Sequence, residues 1–176
     1  MQIDKNITWS GQIVVTDRVP PPPPPPTRLY TWGRNNNGQL GENDRVTQQS
    51  PIQIGSGTTW NLISISGNYS SIATKNDGTL WLWGYNNYGQ LGTNDQFSRS
   101  SPVQIGSGTT WNQVSMGSIH AATIKTDGTL WTWGSNRWGQ LGLNNRTNVS
   151  SPVQVGSGTT WSQVSAGNST TAAILN

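Results

Sequence analysis

The chain has 176 residues, with 21 Gly, 10 Trp, no Cys, one His, 10% charged residues and a formal net charge of +3. That length suits one folded domain plus an appendage. The missing cysteines exclude a disulfide framework and thiol chemistry, and a single histidine leaves no zinc ligand set. The basic residues, among them Arg28, Arg45, Lys75, Lys125 and Arg146, are scattered and interleaved with acids. They form no phosphate-binding stripe, so nucleic-acid binding is not expected. No window repeats apolar residues at helical spacing, while Gly, Asn, Ser and Thr abound, so an all-β fold is expected.

In chain order, residues 1–19 come first. They carry neither a secretory signal pattern nor a run long enough to span a bilayer, so no membrane insertion is expected. "NITWSGQIVVTD" suits a small hairpin around Ser10-Gly11, which needs a partner surface to be stable. This segment is expected to dock on a larger particle. Pro20 to Pro26 follow as a polyproline II linker, a rod of roughly 22 Å at about 3.1 Å per residue.

Residues 27–176 repeat themselves. "GSGTTW" occurs at 55–60, 106–111 and 156–161, and "NDGTLWLWG" at 76–84 returns as "TDGTLWTWG" at 126–134. A "GQLG" begins at Gly38, Gly89 and Gly139, and a Ser-Pro pair recurs at Pro51, Pro102 and Pro152. A period near 50 residues points to propellers or arrays. Within a copy, "SPVQIG", "WNQVSMG", "HAATIK" and "TLWTWG" read as short strands, the last two joined by an Asp-Gly hairpin turn. One such sheet cannot bury its own apolar face, so the copies must pack on one another.

"LYTWGxNxxGQLG", a Ser-Pro, "WxQVSxG" and an Asp-Gly over residues 27–176 resemble the regulator of chromosome condensation repeat family. The resemblance implies β-propeller blades of four antiparallel strands, usually seven to a ring, often with one blade shared between the chain's ends. Three repeats are present here. Thr27 aligns with Gly78, and Asn176 with Thr126, so both ends meet at the same hairpin and one blade is split between them. A three-bladed ring is too tight. "TTAAILN" of one chain is therefore expected to pair with "RLYTWG" of another, through Leu29, Tyr30, Ala173 and Ile174, giving a homo-oligomer in which two chains make six blades or more chains a larger assembly; the remaining alternative is that the natural protein continues past Asn176.

Candidate chemistry is sparse. His120 aligns with Ser70 and Thr170, where the resemblance also implies a histidine within blades, and is expected to be structural. Asp77 and Asp127 stand before glycine at hairpin turns and support the turn backbone. Asp44 and Asp95 align with Asn145, and Glu42 has no acidic counterpart, so no matched acid pair for glycoside hydrolysis remains. "GSGTT" lacks the lysine and helix of a nucleotide loop. Neither a catalytic residue, a metal site nor a cofactor is expected.

Trp32, Trp83 and Trp133, and likewise Trp60, Trp111 and Trp161, recur in every copy and are expected to pack blades. Trp138 aligns with Asn37 and Tyr88, in a loop that also varies at Tyr85 and Arg137; the neighbouring variable loop carries Phe97 and Arg99. These positions are the candidates for contact with a protein or a glycan. A docking segment, a rigid spacer and a propeller head resemble the layout of phage fibre and decoration proteins. The chain is expected to be a non-enzymatic virion structural protein that contacts other virion proteins and a host-surface glycan or protein. The alternative is a stand-alone propeller recognition module for a protein or glycan, like relatives that act through one face as exchange factors for a small GTPase.

Overall fold

The computed structural model describes residues 6–7, 13–14, 26–57, 59–66 and 69–176. All elements among them are strands. β1 (Asn6–Ile7) and β2 (Ile13–Val14) pair antiparallel, with Ile7 opposite Ile13. Residues 8–12, where the sequence suits a hairpin around Ser10-Gly11, the rest of segment 1–19 and all of linker 20–26 except Pro26 lie outside the described residues.

The repeats then follow one plan. β3 (Tyr30–Gly33) and β4 (Gln48–Gln53) form a two-stranded sheet, as half a blade. β5 (Trp60–Ile65), β6 (Ser70–Lys75), β7 (Leu80–Gly84) and β8 (Arg99–Gln104) form the first whole blade. β9 (Trp111–Met116), β10 (His120–Lys125), β11 (Leu130–Gly134) and β12 (Val149–Gln154) form the second. β13 (Trp161–Ala166) and β14 (Thr171–Leu175) pair as another half. The two halves lie in separate sheets within the chain, and together they hold the four strands of one further blade.

Local chemistry explains this order. At the β6–β7 hairpin, Asp77 Oδ1 accepts the Thr79 N–H at 3.0 Å and the Thr79 hydroxyl at 2.6 Å. Asp127 and Thr129 repeat both bonds. These bonds hold both carboxyls below their ordinary value, Thr79 and Thr129 being the main causes. Pro51, Pro102 and Pro152 fall in β4, β8 and β12, the outermost strands, where a missing N–H leaves no ladder bond unmade.

Neighbouring blades are joined at two depths. Along the inner strands, Ser64 Oγ accepts the Met116 N–H at 3.0 Å, and Ser115 Oγ accepts the Ala166 N–H at 2.8 Å. Further out, the Trp83 indole donates to the Gln39 carbonyl at 2.8 Å and the Trp133 indole to the Gln90 carbonyl at 3.0 Å. Both indoles are fully buried. Gly41 and Gly92 leave room for them: a Cβ at either would lie 2.8 Å from the indole nitrogen. Trp60 and Trp111 meet these rings edge-on at 5.9 and 6.2 Å, and the core continues through Ile72, Leu80, Leu82, Leu91 and Met116.

Trp32 departs from its equivalents and is 59% exposed. A Trp83-type residue needs a preceding "GQLG" loop to receive its indole. Among the described residues, the only such loop without an indole in it is the one at Gly139, in the third copy of the repeat, while Trp32 stands in the first.

Candidate recognition face

Strand direction sorts the loops. The β7–β8 and β11–β12 connections, with their counterpart after β3, emerge at the same end of the blades as the β5–β6 and β9–β10 turns. The Asp-Gly hairpins and "GSGTT" connections emerge at the other end, where Trp111 N–H bonds the Gly78 carbonyl.

The long loops 34–47, 85–98 and 135–148 are each stapled by a fully buried asparagine. The Asn86 amide donates to the Asp95 carboxylate at 3.0 Å and to the Asp95 carbonyl at 3.1 Å, while its own oxygen accepts the buried Leu91 N–H at 2.8 Å. Asn35 does the same with Asp44 and Leu40, and Asn136 with Asn145 and Leu141. Desolvation pushes the Asp95 carboxyl up, but bonds from the Phe97 N–H, the Thr93 hydroxyl and Arg99 prevail and hold it below the ordinary value. Asn43, Asn94 and Asn144 take the left-handed turn in the same loops at φ 64°, 59° and 55°. Asparagine tolerates that conformation through local bonding.

On this frame stand the variable residues. Phe97 is 72% exposed, Trp138 65% and Tyr88 40%. Tyr85 packs between Tyr69 at 5.5 Å and Tyr88 at 6.3 Å, its ring tilted to both. Burial, followed by the neighbouring phenols, raises its pKa. The Arg137 guanidinium lies 5.3 Å from the Trp138 ring. Arg99 is turned inward: it bonds the Asp95 carboxylate and the Phe97 carbonyl, each at 2.7 Å, and so braces the loop that presents Phe97. Five of the six sequence candidates thus carry ring or guanidinium surface at this end, and the sixth supports them.

His120 is fully buried, and burial lowers its pKa to about 4. The Thr171 hydroxyl donates to the Gln140 carbonyl at 2.7 Å, so it accepts from the His120 Nε2–H at 2.9 Å. The imidazole is a neutral strut between the second blade and β14. Among the described residues, no three His, Cys, Asp or Glu side chains cluster as a metal site would need, and no helix is long and apolar enough to cross a membrane.

The model of the regulator of chromosome condensation (RCC1) repeat matches residues 28–73, 77–124 and 127–174. The chain belongs to the RCC1 repeat family. Relatives of this RCC1 chain include the Arabidopsis thaliana ultraviolet-B receptor UVR8, 32% identical over 54% of the chain and 22% of the receptor. The human probable E3 ubiquitin-protein ligase HERC3 is 36% identical over 44% of the chain and 8% of the ligase. The chain thus spans under a quarter of the length of these curated relatives. Among solved structures, human WBSCR16 superposes with a TM-score of 0.70 at 24% identity, over 84% of this chain and 40% of its own. Saccharomyces cerevisiae Prp20p gives a TM-score of 0.70 at 19% identity, over 80% and 38% respectively. These likenesses show the propeller fold.

Proposed function

We propose that this RCC1-repeat chain is a non-enzymatic propeller recognition module that binds a protein or glycan through the loops 34–47, 85–98 and 135–148. One observation carries the reading: exposed Phe97, Tyr88 and Trp138 occupy positions that differ from copy to copy, on loops whose frame is fixed by the same buried asparagine in each. Exposed aromatic surface on a rigid mount is what a binding face needs. Saccharomyces cerevisiae Prp20p binds Gsp1p and histones and has been solved bound to Kap60. These complexes support a protein partner as the first expectation here.

A second reading, a virion fibre or attachment protein, is favoured by Pro20 to Pro26 standing between residues 1–19 and the blades. The relatives named above are a receptor and a ubiquitin ligase, which moves the recognition module ahead of it. Protein and glycan arrays probed with the wild-type chain and a Tyr88→Ser/Phe97→Ser variant test the proposal. A partner held by the wild type and weakened at least about tenfold in the variant is expected. A partner bound equally by both refutes it.

A further inference from the structure

We infer that two copies of this chain close one six-bladed ring, the β3–β4 half of each copy completing the β13–β14 half of the other, with Trp32 seated in the socket formed by Gln140, Gly142 and Thr171. The inference goes beyond the recognition reading and does not depend on which partner the loops take.

The socket is built in the image of two filled ones. At the first blade junction the Gln39 carbonyl accepts both the Ser71 hydroxyl and the Trp83 indole, each at 2.8 Å. At the third, the Gln140 carbonyl accepts the Thr171 hydroxyl, the Ser71 equivalent, at 2.7 Å. The indole equivalent is Trp32. A Cβ at Gly41 or Gly92 would strike an indole at 2.8 Å, whereas at Gly142 it would meet only Val155 at 3.5 Å. Gly38 and Gly89 press on the outer strand of the next blade, at Ser100 and Ser150, with a Cβ 2.6 Å from the Cα; Gly139 meets nothing within 4 Å. Asn43 and Asn94 N–H groups bond the carbonyls of those same serines at 2.7 and 2.8 Å. Gln49, in β4, is the residue that aligns with Ser100 and Ser150, so one half blade supplies both missing contacts.

The opposite surfaces agree. β6 and β10 are buried along nearly their whole length, while in β14 Ala172, Ile174 and Leu175 are exposed. On the inner strand of the first blade, Ile63 and Ile65 are 44% and 52% exposed and flank Ser64, whose hydroxyl bonds the following blade, so they face the side where a preceding blade would pack. The two ends have also changed together. Lys75 lies 3.7 Å from the Trp81 ring and Lys125 3.8 Å from the Trp131 ring. Their equivalents at the split blade are Leu175 and Tyr30, an apolar pair replacing a cation and an indole. Among the described residues, two whole blades and two complementary halves per copy give six blades from two copies, within the about four to eight that propellers hold.

The intact ladders set the register. Ala73 faces Trp81 and Thr123 faces Trp131, so Ala173 of one copy faces Tyr30 of the other. Light scattering on the chain should read twice 19.0 kDa. Trp32→Ala should raise the dimer dissociation constant at least about a hundredfold with the far-ultraviolet dichroism retained. Because the chain has no Cys, Tyr30→Cys mixed with Ala173→Cys should form an interchain disulfide. Tyr30→Cys mixed with Ala172→Cys, displaced by one residue to the other face, should not. A monomeric or trimeric wild type, an undisturbed Trp32→Ala dimer, or equal cross-linking in both registers would each overturn the inference. Loss of partner binding by the Tyr88/Phe97 variant leaves all three readouts unaffected, so the two proposals fail separately.

Discussion

Asn86→Ala removes the staple of the β7–β8 loop while touching no exposed surface. The Leu91 N–H, in a residue with no exposure, loses its acceptor. An unpaired buried amide costs about 1–3 kcal/mol. The Asp95 carboxylate and the Asp95 and Phe97 carbonyls lose the Asn86 amide donor. Arg99 and the Thr93 hydroxyl still reach the carboxylate, so the second loss adds about 1 kcal/mol rather than the full value of a bond to a charged group. The sum is roughly 3 kcal/mol, or about 6–12 °C in melting temperature for a chain of this size. Calorimetric melts at one fixed protein concentration measure it, since assembly makes the midpoint concentration-dependent. Asn87→Ala is the control: Asn87 is the adjacent residue, exposed, with its side chain on Tyr85. It should shift stability by no more than about 0.5 kcal/mol. If both substitutions lower the melting temperature equally, the buried staple is not what holds the loop.

His120 couples the fold to pH. The unfolded imidazole titrates near 6.5 and the folded one near 4, so between those values only the unfolded chain takes up the proton. Stability is therefore lost as pH falls from about 6.5 to about 4, by up to about 3 kcal/mol, and urea titrations should show that slope in the wild type and not in His120→Gln. The low-lying Asp77, Asp95 and Asp127 act only further down, as pH falls below their ordinary 3.8. Gly92→Ala combines a left-handed φ of 72° with a methyl 2.8 Å from the Trp133 indole nitrogen. Gly142→Ala has the same strain, at φ 68°, without the clash. In dilute monomer the first should cost at least about 2 kcal/mol more than the second, which carries only the roughly 1–2 kcal/mol of the strained backbone. Equal losses would mean that the glycine serves the turn alone. Lys125→Met removes an ammonium 3.8 Å from the Trp131 ring. A drop of about 0.5–1 kcal/mol is expected, with no drop disproving a cation–π contribution.

How much of this was legible in the sequence depends on the range of each signal. The Asp-Gly turns, the prolines at outer strands and the glycine between "WNQVSMG" and "HAATIK" are local signals, and the strands they mark are present. The asparagine staple is also local and was there to be read: Asn35, Asn86 and Asn136 sit at one invariant place in the quoted motif. Its role stays hidden because the partners are backbone groups and side chains five to eleven residues on. The Lys75 and Lys125 stacks are equally repeated and equally silent, since a lysine two residues before an Asp reads as surface. Arg99, a contact candidate in the sequence, also bonds the Asp95 carboxylate four residues before it, a tie that its place in a variable loop does not announce. The side-chain bonds between blades span 31 residues or more. Only the comparison of copies exposes them, and only the structure shows that Trp32 stands exposed, with no socket among the described residues of its own chain.

The character of the open edge argues that it is made to be covered. Solvent-facing edge strands are ordinarily blunted by lysine, proline or a bulge, because a bare row of N–H and C=O groups recruits other strands. β4, β8 and β12 follow that rule with their prolines. β14 breaks it: Thr171–Leu175 contains no charge and no proline, and Leu175 stands where β6 and β10 end in lysine. Such an uncharged β segment is an aggregation hazard if left free. Pairing with β3 of a second copy removes the hazard, and because each copy offers one open end of each kind, two junctions satisfy all four halves and leave no strand to recruit a third chain. The same property makes failure visible: Trp32→Ala, by releasing β14, should bring on thioflavin-positive aggregation at concentrations where the wild type stays clear, and Leu175→Lys, which restores the lysine of the other copies, should suppress it.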